Sequence, residues 1–181
     1  MSQVVLISGS PTASSRLNGI LDFAQTILES SGIAVDRIIV RDLPPADLVH
    51  ARFDSPDVEK ALALIEQADA VVVATPVYKA AYTGVLKTFL DLLPQKALVR
   101  KTVLPLAIGG TIAHLLSIDY SLKPVLAALG ATRLQTGAYI VDSQVLRDDQ
   151  GRFLIEEDAR KRLQESLQSF IAEIEPVRER V

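Results

Sequence analysis

The chain has 181 residues, of which 49% are hydrophobic and 23% are charged, and its mean hydropathy is +0.26. This composition predicts a single folded domain over residues 1–181 and excludes intrinsic disorder. Nineteen Lys and Arg against 22 Asp and Glu give a net charge of −3, so no basic field favours binding to nucleic acid.

The residue types that build metal and thiol sites are scarce. The sequence has no Cys and two His, which excludes disulfides, thiolate nucleophiles and Cys-based metal sites and predicts no metal centre. The N-terminus, MSQVVLISGS, lacks the basic and apolar regions of a secretory signal. Apolar runs such as residues 70–78 are too short to span a bilayer. These features favour a cytoplasmic protein that does not enter the membrane.

Short β-branched runs alternate with helical patterns from the N-terminus onward. Residues 4–7 form the first predicted strand, and apolar residues recur every three or four positions over 17–28, as one face of a helix requires. A second strand follows at 35–40, and two prolines open a loop over 44–54. Ser55 before Pro56 predicts an N-cap and the start of a helix that runs to about residue 67.

The central part of the chain is more apolar. Residues 70–75 show no polar alternation, which predicts a central strand covered on both faces. A helix is predicted over 84–93 and a fourth strand over 102–107, although Pro105 is unusual inside a strand. The stretch 112–129 is apolar on nearly every side, more than one buried stripe needs.

The last elements complete an α/β pattern. A fifth strand is predicted at 139–141, followed by an amphipathic helix whose apolar positions are Leu163, Leu167, Phe170, Ile171 and Ile174. Five strands alternating with five helices predict a flavodoxin-like, doubly wound, three-layered parallel sheet of order 2-1-3-4-5. Ligands of such sheets bind where the strand order reverses, at the carboxyl ends of the strands. The loops after the first, third and fourth strands are therefore the candidate site.

The first of these loops, residues 8–15, is rich in hydroxyls and leads directly into a helix whose first turn contains Arg16 and Asn18. A helix N-terminus with unpaired N–H donors favours an anion. The loop matches neither a Walker sequence nor GxGxxG, and its single Gly suits a terminal phosphate monoester, such as that of FMN, better than a pyrophosphate. The alternative is a serine-rich N-cap without a ligand.

The other two loops offer backbone groups at the same edge. Residues 75–84 contain a proline followed by a bulky residue. These could form an apolar wall against the face of a flat ring, and backbone groups of the same loop could bind the polar edge of the ring. The alternative is an ordinary strand-to-helix turn. Gly109 and Gly110 let the backbone approach a ligand closely, or only satisfy the dihedral angles of a turn. His114 follows, either as a site residue or as a structural hydrogen-bond donor, and we favour the structural role. No GxSxG elbow or Ser-His-acid spacing predicts a hydrolase.

Long strings of the chain carry a family resemblance: GSP, ARFDSP, TPVYKAAYTGVLKTFLDLLP, GGTIAHLLSIDYSLKPVL and DSQV. With these, the chain resembles the NADPH-dependent FMN reductases of the alkanesulfonate-utilisation type, over almost its whole length. The resemblance implies reduction of FMN by NADPH or NADH, and delivery of reduced FMN to a flavin-dependent monooxygenase that releases sulfite from sulfonates.

The resemblance also implies a set of cofactor-binding residues. Around the FMN phosphate these are Ser10, Ser15, Arg16, Leu17 and Asn18. Around the isoalloxazine ring they are Pro76, Val77, Tyr78, Lys79, Gly109, Gly110 and Thr111. Thr12 stands where relatives often have a basic residue, which leaves Arg16 as the main cation for the phosphate. No catalytic side chain is predicted, because hydride transfer between two cofactors needs positioning rather than a protein acid or base.

Two other functions fit the same fold. A flavodoxin-like electron carrier would hold FMN permanently, usually between aromatic residues, but this chain has no Trp and only Tyr78 and Tyr82 near the loops. A quinone or azo-dye reductase would use an added acceptor.

The stretch 112–129 also predicts assembly. Its apolar residues surround a helix, so packing on the sheet alone would leave an apolar patch in water, and a homo-oligomer, dimer or tetramer, would cover it. Pro124 removes the helical partner of the Tyr120 carbonyl, which predicts a kink or a π-bulge. The resemblance agrees, because relatives carry an inserted tyrosine in a widened turn at a tetramer interface.

Overall fold

The computed structural model describes residues 2–174. Its strands are β1 Gln3–Ser8, β2 Ala34–Ile39, β3 Ala70–Tyr78, β4 Ala81–Tyr82, β5 Thr102–Gly109, β6 Arg133–Leu134, β7 Ala138–Val141, β8 Val145–Arg147 and β9 Phe153–Ile155. Its α-helices are α1 Leu17–Ser30, α2 Pro45–Val49, α3 Pro56–Gln67, α4 Gly84–Leu90, α5 Lys123–Ala128 and α6 Glu157–Ile174.

The main sheet has the order β2-β1-β3-β5, and β6 and β7 pair in turn with the outer side of β5. These pairs are parallel, and the short β4 alone runs antiparallel, against the end of β3. The predicted flavodoxin-like order is therefore confirmed, with two short strands sharing the fifth position. The order reverses between β1 and β3, which places the switch point of the sheet there.

Helices cover both faces of the sheet. Val72 of β3 packs into the core beneath α1 and α6, while Val71 and Val73 face α3, α4 and α5 on the other side. Because successive side chains of a strand point to opposite faces, a strand buried on both sides needs an uninterrupted apolar run. This is why β3 shows no polar alternation. No helix among residues 2–174 has the length and apolar composition needed to cross a membrane.

Pro105 lies inside β5 without breaking it. On one side it is in register with Val73 of β3. On the other side it falls at the break in the edge pairing, because β6 pairs only as far as Val103 and β7 begins at Leu106. A strand tolerates proline where a ladder is interrupted, since no partner then needs its missing N–H.

Several boundaries differ from the predicted ones. The loop predicted over 44–54 contains α2, because Pro45 occupies a first helical position, where a missing N–H costs nothing. Ser55 precedes α3 as predicted, but its hydroxyl donates to Asp47 Oδ2 at 2.6 Å and does not cap the helix. The helix predicted over 84–93 ends at Leu90, after which the chain tightens into turns with hydrogen bonds to carbonyls three residues back.

The apolar stretch 112–129 is divided into three helical segments. A 3₁₀ turn over Ile112–His114 is followed by a π-helix over Ile118–Leu122, which leads directly into α5. The predicted distortion at Tyr120 is confirmed as this π-helix. Pro124 stands in the first turn of α5, and its missing N–H accounts for the widened turn before it.

The sequence patterns did not predict the hairpin β8–β9. Its strands pair antiparallel, with Arg147 opposite Phe153. The hairpin packs against α1 through Phe153, and a Cβ on Gly19 would lie 2.5 Å from the Phe153 Cβ. Gly19 therefore allows this ring to lie directly on the helix.

Candidate functional site

The loops that follow β1, β3 and β5 meet at the carboxyl edge of the sheet, where they border a cleft of about 440 Å³. The residues lining it are Ser14, Ser15, Arg16, Pro76, Val77, Tyr78, Ile108, Gly109, Asp142 and Arg147. This volume lies in the range of small-molecule sites. The cleft stands at the predicted switch point.

A larger cavity of about 750 Å³ lies along the sheet edge between β7 and α6 and includes Gly137, Gln144 and Ser166. No residue of the loops after β1 and β3 lines it. We assign the candidate site to the smaller cleft, because it gathers residues of the loop after β1 with the last residues of β3 and β5, at the carboxyl ends of the strands.

Half of the predicted binding residues lie on the wall of the cleft: Ser15, Arg16, Pro76, Val77, Tyr78 and Gly109. Ser10 and Leu17 are fully buried behind the wall, and Asn18 is half-buried with its amide donating to the Ala13 carbonyl at 2.8 Å. Lys79, Gly110 and Thr111 are exposed on the bordering loops.

The first loop is held by hydrogen bonds to its own hydroxyls and by two arginines. Ser15 Oγ accepts from the Leu17 N–H at 3.2 Å, and Arg41 and Arg147 donate to the carbonyls of Thr12 and Ser14 at 3.2 and 2.8 Å. Arg16 is exposed at the start of α1, with no carboxylate of residues 2–174 in an ion pair with it. Its guanidinium is therefore available to an anionic ligand.

A buried hydroxyl joins the first and second loops. Thr83 Oγ1 donates to the Gly9 carbonyl and accepts from the Leu86 N–H at 3.1 Å. The second of these hydrogen bonds also caps the N-terminus of α4. The Thr83 N–H in turn donates to Thr75 Oγ1 at 3.1 Å. A Cβ on Gly9 would lie 2.7 Å from the Leu86 Cβ, so Gly9 allows the loop to lie against α4. These contacts fix the spacing of the two loops.

The turn between β3 and β4 has an uncommon backbone. Lys79 and Ala80 have φ angles of 52° and 62°, the left-handed values of a tight hairpin turn that usually requires Gly or Asn. Residues held in this region with a Cβ store strain, and such residues cluster at functional sites. The preceding residue, Tyr78, has 51% of its surface exposed and presents the cleft with its one aromatic side chain.

The third loop is fixed by Tyr139 from β7. Its hydroxyl donates to the Thr111 carbonyl at 2.8 Å, and a Cβ on Gly109 would lie 2.2 Å from that hydroxyl oxygen. Gly109 is thus required by an internal side chain, in addition to the ligand approach or turn geometry that its sequence position predicted. Burial, and then the carboxylate of Asp142, raise the pKa of Tyr139 above its ordinary value, so the phenol keeps its donating proton further into the alkaline range. His114 gives no side-chain hydrogen bond within residues 2–174, so the predicted structural donor is absent there.

Two charged residues of the cleft, Asp142 and Arg147, were not predicted. Asp142 follows β7, and its carboxylate makes neither a hydrogen bond nor an ion pair with residues 2–174. Arg147 reaches the first loop across 133 residues of sequence. The string DSQV marked the segment, but no local pattern indicated where its side chains would point. Among residues 2–174 no cluster of three or more His, Cys, Asp or Glu could hold a metal ion.

Comparison with known proteins identifies close relatives. The family model of NADPH-dependent FMN reductases matches residues 2–145. An FMN reductase (NADPH) of Escherichia coli is 46% identical over 168 residues, 93% of this chain and 87% of the relative. An FMN reductase (NADPH) of Pseudomonas putida is 52% identical over 78% of this chain and 72% of the relative. The apo crystal structure of NADH:FMN oxidoreductase (EMOB) superposes with a TM-score of 0.84 at 36% identity, covering 94% of this chain and 88% of that one.

Proposed function

Because the chain belongs to the NADPH-dependent FMN reductase family, we propose that it catalyses the reduction of FMN by NADPH or NADH. The observation that carries the proposal is the cleft at the switch point of the sheet, which combines an unpaired arginine and serine hydroxyls with an apolar wall. The phosphate and the flat isoalloxazine ring are the two ends of FMN, joined by a ribityl chain, and the cleft offers groups suited to each end.

The residues present fit FMN. Ser15 and Arg16, at the start of α1, would hold the phosphate, and Pro76, Val77 and Tyr78 would form the wall against the ring. Bound FMN supplies the hydride acceptor. The protein's own part is to hold the two substrates in contact and exclude water, because the transfer needs no proton from a side chain. The hydrogen bond from the Tyr139 hydroxyl to the Thr111 carbonyl serves this purpose by holding the third loop in place.

The decisive experiment is oxidation of NADPH and of NADH with free FMN as the sole acceptor. We expect turnover without an added quinone, which separates this function from a quinone reductase, and a carrier would show none. Steady-state kinetics with both nucleotides decide the preference. Arg16→Ala should weaken FMN binding about ten-fold or more while leaving riboflavin binding unchanged, because a charge-assisted hydrogen bond is lost.

The matched control for Arg16→Ala is Arg160→Ala, which removes an exposed, ion-paired arginine of α6 that does not line the cleft. Unchanged affinity of Arg16→Ala for both FMN and riboflavin would remove this residue from the site.

We further propose that FMN exchanges with solution as a substrate. Among residues 2–174, Tyr78 is the one aromatic side chain lining the cleft, so these residues do not clamp the ring between two aromatic side chains. The purified protein should be largely colourless and should become active when FMN is added. Isolation with stoichiometric FMN that resists dialysis would contradict this.

The acceptor of the reduced FMN is proposed from the family resemblance to be a flavin-dependent sulfonate monooxygenase. The test combines the reductase, NADPH, FMN and such a monooxygenase and measures sulfite release from an alkanesulfonate. Sulfite release at the same rate without the reductase would count against this partner.

We also propose that the chain forms a homo-oligomer through 112–129. Large apolar side chains stand in solvent there: Ile112 is 60% exposed, Leu115 47%, Leu116 55% and Tyr120 79%. Such a patch favours a partner surface. Analytical ultracentrifugation at micromolar concentration should show a dimer or a tetramer, and a monomer would refute the interface.

A further inference from the structure

A second arginine stands at the phosphate end of the cleft. Arg147 lines the cleft together with Ser14, Ser15 and Arg16, and it donates one hydrogen bond, to the Ser14 carbonyl at 2.8 Å. A guanidinium carries five N–H donors, so this bond leaves others for a ligand. Arg147 forms no ion pair with a carboxylate of residues 2–174.

Packing beneath Arg147 restricts its position. Its guanidinium carbon lies 4.7 Å from the centre of the Phe153 ring, its partner across the hairpin. Phe153 in turn packs on Gly19 of α1, the helix that begins directly after Arg16. The hairpin and the first loop are thus seated on the same helix. A stacked and hydrogen-bonded guanidinium loses less conformational freedom when it binds an anion than a free side chain does.

The charges at this end match a phosphate monoester. Such a group carries about −1.5 to −2 charges at pH 7. Arg16 and Arg147 together supply two positive charges, and neither arginine is in an ion pair with a carboxylate of residues 2–174, although the carboxylate of Asp142 also lines the cleft. Building on the proposed function, we propose that Arg147 is a second ligand of the FMN phosphate and makes the cleft select FMN over riboflavin. Riboflavin has the same ring but no phosphate.

The test measures the dissociation constants of FMN and riboflavin by quenching of flavin fluorescence, in Arg147→Ala, Arg147→Gln and the wild type. Both variants should bind FMN about ten-fold or more weakly and riboflavin within about two-fold of the wild type. Gln keeps a donor for the Ser14 carbonyl but no charge, so it separates binding of the phosphate from support of the loop. Arg152→Ala is the control, since Arg152 belongs to the same hairpin but pairs with Asp148 outside the cleft.

Each other outcome identifies what fails. Full FMN affinity in Arg147→Gln would overturn the proposal and leave Arg147 as a support of the first loop. Equal losses for FMN and riboflavin would do the same. If kcat/KM fell for NADPH alone, while kcat/KM for NADH and the affinity for FMN stayed unchanged, Arg147 would be assigned to binding of the nucleotide. This result would also overturn the proposal. A wild type that neither oxidises nucleotide with FMN nor prefers FMN to riboflavin would refute the proposed function itself.

Discussion

The two sides of the cleft are held in place by different kinds of contact. On the side of β1 and β3, Thr75 and Thr83 are each 1% exposed, and Thr83 bonds to the Gly9 carbonyl inside the protein. On the side of the hairpin β8–β9, Arg147 is exposed and makes its bond to the Ser14 carbonyl at the surface. The carboxylate of Asp142, also on this side, makes neither a hydrogen bond nor an ion pair with residues 2–174.

The difference determines what a substitution should change. A buried donor or acceptor that loses its partner retains the full cost of its desolvation, so changes on the β1 and β3 side should lower the free energy of unfolding together with ligand affinity. At the hairpin, water replaces a lost contact, so changes there should alter affinity alone. Substitutions at Gly9, Thr83 and Asp142 test this separation, and one at Tyr139 tests the bond that holds the third loop.

Gly9→Ala should have the largest effect. The added Cβ would lie 2.7 Å from the Leu86 Cβ and 3.2 Å from the Ala74 carbonyl oxygen, neither of which is the end of a flexible side chain. Overpacking of this kind costs about 1–3 kcal/mol, so urea unfolding should show a loss near the upper end of that range and FMN binding should fall with it.

The control for this change is Gly84→Ala, because nothing lies within 4 Å of a Cβ at Gly84, where α4 begins. It should be neutral or slightly stabilising. A Gly9→Ala protein as stable as the wild type would show that the first loop is free to move away from α4.

Thr83→Val should follow. The substitution keeps the shape of the side chain but removes the hydroxyl that donates to the Gly9 carbonyl and accepts from the Leu86 N–H. Two buried groups lose their partner, at a cost of about 1–3 kcal/mol each, so the free energy of unfolding should fall by roughly 2 kcal/mol after relaxation. Thermal and urea unfolding measure this effect.

Thr88→Val is the matched control, since within the described residues 2–174 the Thr88 hydroxyl donates to the Val85 carbonyl of its own helix and to no other group. Equal losses in the two valine variants would indicate that Thr83 stabilises its own helix and does not join the loops.

Tyr139→Phe should lower the free energy of unfolding by about 1 kcal/mol, the usual contribution of one hydrogen bond, because the exposed Thr111 carbonyl can bind water instead.

The pH dependence of this difference in stability is a more specific test. A raised pKa means that the folded protein holds the phenolic proton more tightly, so its contribution to stability is present below pH 10.0 and is lost as pH rises through the raised pKa. The stability difference between wild type and Tyr139→Phe should therefore shrink above pH 10.0. A difference that stays constant into the alkaline range would contradict this.

The same contrast explains how much the sequence could predict. Strand ends meet at one edge of a parallel sheet, so Arg16, Pro76 and Gly109, each next to a predicted strand or helix, could be brought together from local patterns alone. The apolar run of β3 likewise indicated its central position. The predicted order of the sheet followed from such local signals and is confirmed.

The remaining features depend on contacts between distant segments. Arg147 and Ser14 are 133 residues apart, and the collision of a Gly109 side chain with Tyr139 depends on the register of β7 against β5. The hairpin β8–β9 has strands of three residues, too short for a period of two to be recognised. Ser10 was assigned from the family resemblance, and its full burial shows that membership of a motif does not place a side chain on the surface of a cleft.

Asp142→Asn should have the smallest effect and the opposite sign. Its half-buried carboxylate, which has no ion-pair partner among residues 2–174, lines the cleft and repels an anionic ligand. Its neutralisation should therefore tighten FMN binding by roughly two- to five-fold, as expected for about 0.2–1 kcal/mol between solvent-screened charges. Stability should be unchanged. Asp149→Asn, an exposed change of equal charge on the hairpin turn outside the cleft, is the control. Fluorescence titration at low and high salt should show the gain fading as salt rises. Weaker FMN binding by Asp142→Asn would instead show that this carboxylate accepts a hydrogen bond from the ligand, and the hairpin side would then contribute attraction at both of its charged residues.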